Sequence, residues 1–182
     1  MENIVLFGLC SILLIIISWR TVLNPASHGF YRFLSWECIL WLFINNYRFW
    51  FYNPLSVWQI LSWIFLFISV YMVIAGAILL KKSGKPSDKR DERTLYAFEK
   101  TSVLIDFGIF KYIRHPLYAS LLFLTWGIFL KNITTSLLVI SMISTILLYI
   151  TALLDEKECL LFFGDSYKEY MKKSKRFIPF LI

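Results

Sequence analysis

The chain has 182 residues, of which 58% are hydrophobic and 19% aromatic, and a formal net charge of +7. Soluble domains sit near ~45–50% apolar, so this composition excludes an ordinary water-soluble globule and indicates an integral membrane protein. The positive charge gathers in one loop and the tail, where membrane orientation accounts for it, and no nucleic-acid partner is expected.

In chain order, residues 3–19 are uncharged and predict a first helical span. Met1-Glu2-Asn3 is acidic and no small-residue cleavage site follows the apolar run, so this segment is expected to be a retained anchor rather than a signal peptide. Bulky Leu9 before Cys10 argues against a lipoprotein anchor. Asn24-Pro25-Ala26-Ser27-His28-Gly29 is rich in turn formers. The second span, 33–47, holds one charge, Glu37, flanked by Trp36 and Trp41. An ionisable group in lipid is a candidate for function; a packing hydrogen bond or a carboxylate snorkelling to the interface is the structural alternative.

Residues 55–80 form the third uncharged span, and 81–100 the one hydrophilic linker, with a short surface helix expected over 90–100. Residues 117–130 and 132–154 form the fourth and fifth spans, separated by Lys131. Of the five, the second and fourth are short. Asn132-Ile133-Thr134 matches a glycosylation acceptor but lies tight against the membrane, where no modification is expected. The tail has an apolar patch at 160–163, then Tyr167, Tyr170 and Met171 at helical spacing beside a basic face. That pattern predicts an amphipathic helix lying on the membrane and folding over the end of the bundle. Cys10, Cys38 and Cys159 show no disulfide or metal-ligand spacing, and no metal is expected.

The expected fold is therefore all-α: one integral membrane bundle of about five transmembrane helices over 1–182, with a cytoplasmic C-terminal amphipathic segment. With the N-terminus outside, seventeen basic residues lie on one face and two, Arg48 and Lys131, on the other. The positive-inside rule makes the first face cytoplasmic, at the plasma membrane or, in a eukaryote, the endoplasmic reticulum.

Thirty-nine residues separate Pro116 from Glu156. At about 1.5 Å per residue and a ~30 Å hydrocarbon core, that is two crossings and a turn. The clusters at 108–118 and 155–158 therefore meet at one face. Pro116 suits a first helical turn, so the helix start offers free amides and a positive dipole end beside Arg114 and His115. That end suits a carboxylate, phosphate or pyrophosphate; Asp155 and Glu156 suit a cation; Tyr112 and Tyr118 offer aromatic faces. S-adenosylmethionine carries a carboxylate, an ammonium, an aromatic base and a sulfonium. Interface anchors and a solvated acidic pair would give the same residues, so spacing alone does not reach an enzyme class.

Gly108…Tyr112…Arg114-His115-Pro116-x-Tyr118, with Asp155-Glu156 about 40 residues later, resembles the isoprenylcysteine carboxyl methyltransferase and phospholipid methyltransferase family. Phe163-Gly164-x-x-Tyr167-x-x-Tyr170 and Phe177-Ile178-Pro179 resemble its C-terminal pattern, and 24–33 is similar to a subgroup of small prokaryotic members. The resemblance implies a membrane methyltransferase that binds S-adenosylmethionine within about 98–182 and takes a lipophilic substrate, a carboxylate among the options, from the surrounding membrane lipid. It implies Tyr112, Arg114, His115, Pro116, Tyr118, Asp155 and Glu156 as cofactor residues. Of these, His115, Arg114 and Glu156 carry the catalytic role, with Arg114 and His115 on the cofactor carboxylate or adenosyl part and Glu156 on its ammonium. His28 and Glu37 are candidates for the substrate side. The family's usual acidic pair is Glu-Glu, and Asp155 departs from it, which favours Glu156 as the ammonium partner. Two other readings compete: a nicotinamide-dependent enzyme like the membrane sterol reductases, which carry similar His-Pro-x-Tyr segments, and a non-catalytic membrane protein that binds lipid or a partner.

The orientation is directly testable. A cysteine introduced at Ser87 is expected to react with a membrane-impermeant thiol reagent only after the cytoplasmic face is opened. Labelling in intact cells would reverse the topology and put a cytosolic cofactor out of reach.

Overall fold

A computed structural model describes residues 2–84 and 101–179. The expected surface helix over 90–100, the labelling site Ser87 and the end of the tail at 180 lie outside the described residues. Among the described residues six α-helices follow one another: α1 (Glu2–Val22), α2 (His28–Asn46), α3 (Val57–Ser83), α4 (Pro116–Phe129), α5 (Thr135–Phe163) and α6 (Asp165–Lys173). Short 3-10 turns at Tyr47–Phe49 and Gly108–Lys111 link them, and the described residues contain no strand. The all-α membrane bundle stands. Helices α1, α3 and α5, of 21, 27 and 29 residues, are long and apolar enough to cross a bilayer. The pair expected to be short is short: α2 has 19 residues and includes Arg32 and Glu37, and α4 has 14, or about 21 Å of helix.

Helices α2, α4 and α5 form the centre, with α3 packed on α4 and α1 on α2. Lipid-like surroundings remove the hydrophobic drive between helices, so close packing and small polar side chains hold them together. The structure uses both. Ser35 and Ser144 hydroxyls lie 2.9 Å apart and Thr125 lies 3.2 Å from Ser144, which joins all three central helices. Ser62 donates to the Gly127 carbonyl at 2.6 Å and Ser69 to that of Ser120 at 2.7 Å, which fastens α3 to α4. Around them pack Ile39, Leu42, Leu66, Ile128, Phe129 and Leu137. Outward-facing Ile4, Leu9, Ile12 and Ile16 on α1 and Phe67 and Val70 on α3 stay exposed, as lipid-facing positions do.

The two ends of the bundle differ. At one, Lys131 in the α4–α5 turn is buried; its Nζ donates to Gln59 Oε1 at 3.0 Å and to the Trp50 carbonyl at 3.3 Å, and sits 3.8 Å from the Trp63 ring centroid. Burial pulls this ammonium down to about 8. Thr134, which completes the glycosylation-like triplet, is the N-cap of α5 and accepts from the Leu137 amide at 3.4 Å. At the other end, Gly164 at φ 59° breaks α5 and lets α6 fold back. Helix α6 turns Tyr167 and Tyr170 inward, and the Tyr170 hydroxyl donates to the Phe110 carbonyl at 2.6 Å.

The approach to α4 depends on Gly108. Its φ is +61°, and a Cβ there would lie 2.6 Å from Leu79 Cδ1. Gly108→Ala therefore combines left-handed strain with a clash and is expected to destabilise the protein by about 1–2 kcal/mol, read as a lower melting temperature in detergent. An unchanged melt would mean that the 108–111 turn relaxes without α3.

Candidate functional site

Pro116 occupies the first turn of α4, as its missing N–H allows, and His115 is the N-cap with no side-chain cap bond. The leading amides of the helix, which have no intrahelical acceptor, therefore lie beside the imidazole. The segment before it is fixed by the tail, which runs parallel to it: Lys175 N donates to the Tyr112 carbonyl at 2.9 Å, Arg114 N to Lys175 at 2.7 Å and His115 N to Arg176 at 3.1 Å.

Behind this staple lies a buried charge cluster. Arg114 Nε and Nη2 both reach Glu156 Oε1 at 2.9 Å. Arg176 Nε bridges both Glu156 oxygens at 3.0 Å, and its Nη2 reaches Oε2 at 2.9 Å. Arg114 Nη1 also donates to the carbonyls of Met171, at 3.2 Å, and Ser174. The Glu156 side chain is 4% exposed and that of Arg114 7%. His115 lies between the two neighbouring carboxylates, with Nδ1 3.4 Å from Asp155 Oδ2 and Nε2 3.5 Å from Glu156 Oε1. Nε2 is buried without a hydrogen-bond partner, and the ring stacks on Tyr118 at 5.3 Å and 16°. Burial alone would push the imidazole pKa down; the Asp155 and Glu156 carboxylates outweigh it and raise it above 6.5.

In front of the cluster opens a cavity of about 100 Å³, continuous with solvent. Arg114, His115, Pro116, Tyr118, Asp155 and Cys159 are among its lining. Leu80, Leu104, Phe110, Leu117 and Phe163 supply apolar walls, and Tyr167 and Tyr170 close the back. Burial pushes both phenols well above their usual range, so they stay neutral.

Five of the seven residues expected to bind cofactor thus line one cavity: Arg114, His115, Pro116, Tyr118 and Asp155. Glu156 sits behind the wall in its two guanidinium bonds rather than on it. Tyr112 is 48% exposed and outside the lining, its ring 5.7 Å from Lys111 Nζ. His28 is fully buried behind the cavity, its Nδ1 2.6 Å from Glu158 Oε2. Glu37 lies about 14 Å further along α2, where the Ser11 hydroxyl of α1 donates to it. His28, Asp155 and Glu158 place three donor atoms within 4.8 Å of one another, a grouping that could hold a metal ion, although the His28–Glu158 pair already engages two of them. Arg176 escaped sequence reasoning; Glu158 was placed in the polar cluster at 155–158 without a role of its own, and Cys159 only among the unpaired cysteines. The available signal for Arg176 was its place directly before Phe177-Ile178-Pro179.

Because the folded pKa of His115 lies above 6.5, its stabilising charge is fully present below 6.5 and is lost as pH rises through the folded value. The melting-temperature gap between wild type and His115→Gln is therefore expected to be widest below pH 6.5 and to narrow in alkaline buffer. A gap that widens with pH would show that His115 is buried as the neutral ring.

The chain belongs to the family described as "Protein of unknown function (DUF1295)", which it matches over residues 52–174. It is 26% identical over 198 residues to a protein-S-isoprenylcysteine O-methyltransferase of Dictyostelium discoideum, covering 97% of this chain and 76% of that protein. It is 33% identical over 73 residues to a methanethiol S-methyltransferase of Pseudomonas deceptionensis, covering 40% of this chain and 27% of that protein. A methanethiol S-methyltransferase of Crocosphaera subtropica is 29% identical over 90 residues, covering 48% and 34%. The chain thus spans about a quarter to a third of the length of these two methanethiol S-methyltransferases. No solved structure matches it.

Proposed function

We propose that this protein is an S-adenosylmethionine-dependent methyltransferase acting on a lipophilic acceptor at the cytoplasmic face of a membrane. The observation that carries the reading is one cavity lined by both cationic and anionic groups. Arg114 and His115 at the start of α4 bring positive charge, and Asp155 brings a carboxylate, in a chain whose relatives are named as methyltransferases. When bound, S-adenosylmethionine supplies a methyl group made electrophilic by its sulfonium.

The chain's own residues have three tasks. The start of α4 and His115 receive the carboxylate of the cofactor's amino-acid part, and Arg114 adds its charge from within its bonds to Glu156. Asp155 receives the ammonium, because it faces the cavity while Glu156 is held by Arg114 and Arg176. This reassigns the ammonium partner expected from the family pattern. The apolar walls admit a lipophilic acceptor and exclude water from an in-line displacement.

The relatives' names divide between sulfur and oxygen as the methylated atom. A carboxylate acceptor is nucleophilic as it stands. A thiol must first lose a proton, which His115 can accept only as the neutral ring, so a thiol acceptor would call for pH above the raised pKa of that imidazole.

Titration calorimetry in detergent tests this reading. S-adenosylmethionine is expected to bind at one site and NADPH not at all; the reverse would favour a reductase. Asp155→Asn is expected to cost about 1–3 kcal/mol of binding. Glu156→Gln is expected to lower the melting temperature first and to affect binding through that loss. Unaltered binding in folded Asp155→Asn would return the ammonium role to Glu156.

A further inference from the structure

We propose that Arg176 is a positioning residue for this site: through its two-point hold on Glu156 it keeps that carboxylate at ion-pair distance from His115, short of a hydrogen bond, and leaves Asp155 as the one facing the ligand. The inference rests on the methyltransferase reading for its ligand, but its geometry stands by itself. Glu156 Oε1 has two partners, Arg114 and Arg176. Oε2 is bonded by Arg176 alone in the hydrogen bonds of the described residues, at 3.0 Å from Nε and 2.9 Å from Nη2. His115 Nε2, buried and without a hydrogen-bond partner, waits 3.5 Å from the same carboxylate. Without Arg176, a buried carboxylate oxygen and a buried imidazole nitrogen would both lack partners while lying within reach of each other. Each such group is costly to leave unmade, so they would close on one another. His115 would then be drawn towards Glu156 and off Asp155, which now stands 3.4 Å from its Nδ1.

Arg176 is well placed for this role. Its carbonyl accepts from the His115 amide at 3.1 Å, and the next ring, Phe177, lies 6.5 Å from the imidazole. Its remaining Nη1 donates to the Tyr149 hydroxyl at 3.2 Å, so the fork is aimed from the α5 side. The groups around His115 are Asp155 and Glu156 on α5, Arg114 before it, Tyr118 on α4 and Arg176 with Phe177 on the tail. Lysine would supply the charge without the planar fork and could hold only one oxygen well.

The test uses the full chain in detergent micelles and reads two quantities in wild type, Arg176→Lys and Arg176→Met. These are the NMR titration of the His115 ring and the affinity for S-adenosylmethionine. The chain has two histidines, so a His28→Gln variant assigns the signals. Arg176→Met is expected to raise the His115 pKa by roughly one unit, as a carboxylate stripped of its counter-charge comes closer, and to weaken cofactor binding about tenfold. Arg176→Lys is expected to fall between. A purely structural staple would lower the melting temperature and leave the His115 titration where it was; that result in a folded Arg176→Met overturns the proposal. Should Arg176→Met not fold, Arg176→Lys decides: titration and affinity equal to wild type overturn the role of the fork. Failure of wild type to bind S-adenosylmethionine, with the His115 shift still present, would remove the methyltransferase reading and leave the positioning role intact.

Discussion

Two guanidinium groups share the carboxylate of Glu156, and the geometry of the site depends on that sharing. A carboxylate this deeply buried is tolerable only when its oxygens are satisfied, and removing one partner of such a pair costs roughly 3–5 kcal/mol. Here the partners come from opposite ends of the candidate site: Arg114 precedes α4, and Arg176 follows α6. The same Arg114 also takes the carbonyls of Met171 and Ser174 at the end of α6, where a cation is favoured. One ion cluster thus ties α5, the 112–115 segment and the tail into a single rigid wall. The helix start that would meet an anion is positioned as a consequence.

That rigid end contrasts with the rest of the bundle. Along the spans, stabilisation comes from short hydroxyl contacts such as Ser35–Ser144–Thr125 and from close packing around Leu42 and Leu148. These contacts suit a lipid surrounding because each of these hydroxyls finds its partner inside the bundle. The far end is closed by Lys131 in its cage of Trp50, Trp63 and Gln59. The hairpin of α4 and α5 is therefore clamped at both ends by buried cations. One clamp carries a carboxylate and opens into a cavity; the other has carbonyl oxygens and aromatic faces as its partners.

Much of this was legible before any coordinates. Uninterrupted apolar runs marked the helices, Pro116 marked a helix start, and the spacing from Pro116 to Glu156 placed two polar clusters at one face. The division of labour between Asp155 and Glu156 was not legible. Adjacent helical residues point about 100° apart, and which of them faces the cavity depends on the rotation of α5, set by the Arg114 and Arg176 bonds. Arg176 itself read as one more cation in a basic tail, because its place before Phe177-Ile178-Pro179 does not say that its guanidinium turns in to a buried carboxylate. Tyr112 failed to reach the cavity for a related reason. The turn over 108–111 and the staple to Lys175 direct its ring outward, and neither contact has a sequence signature.

The amino-terminal motif now has a physical place. His28 sits at the start of α2, fully buried, and its bond to Glu158 joins that helix to the last turns of α5. Asp155 is one turn before Glu158 and shares the same cluster of donor atoms. The segment 24–33 therefore supports the carboxylate side of the cavity from behind, although His28 is absent from its lining. The charged parts of the site are each held by at least one buried ion pair to a distant segment. The apolar walls contributed by Leu80, Leu104, Phe110 and Phe163 have no such ties. Substitutions there can reshape the cavity without disturbing the ion cluster; on the methyltransferase proposal, acceptor selectivity would reside in those walls and methyl-donor binding in the charges.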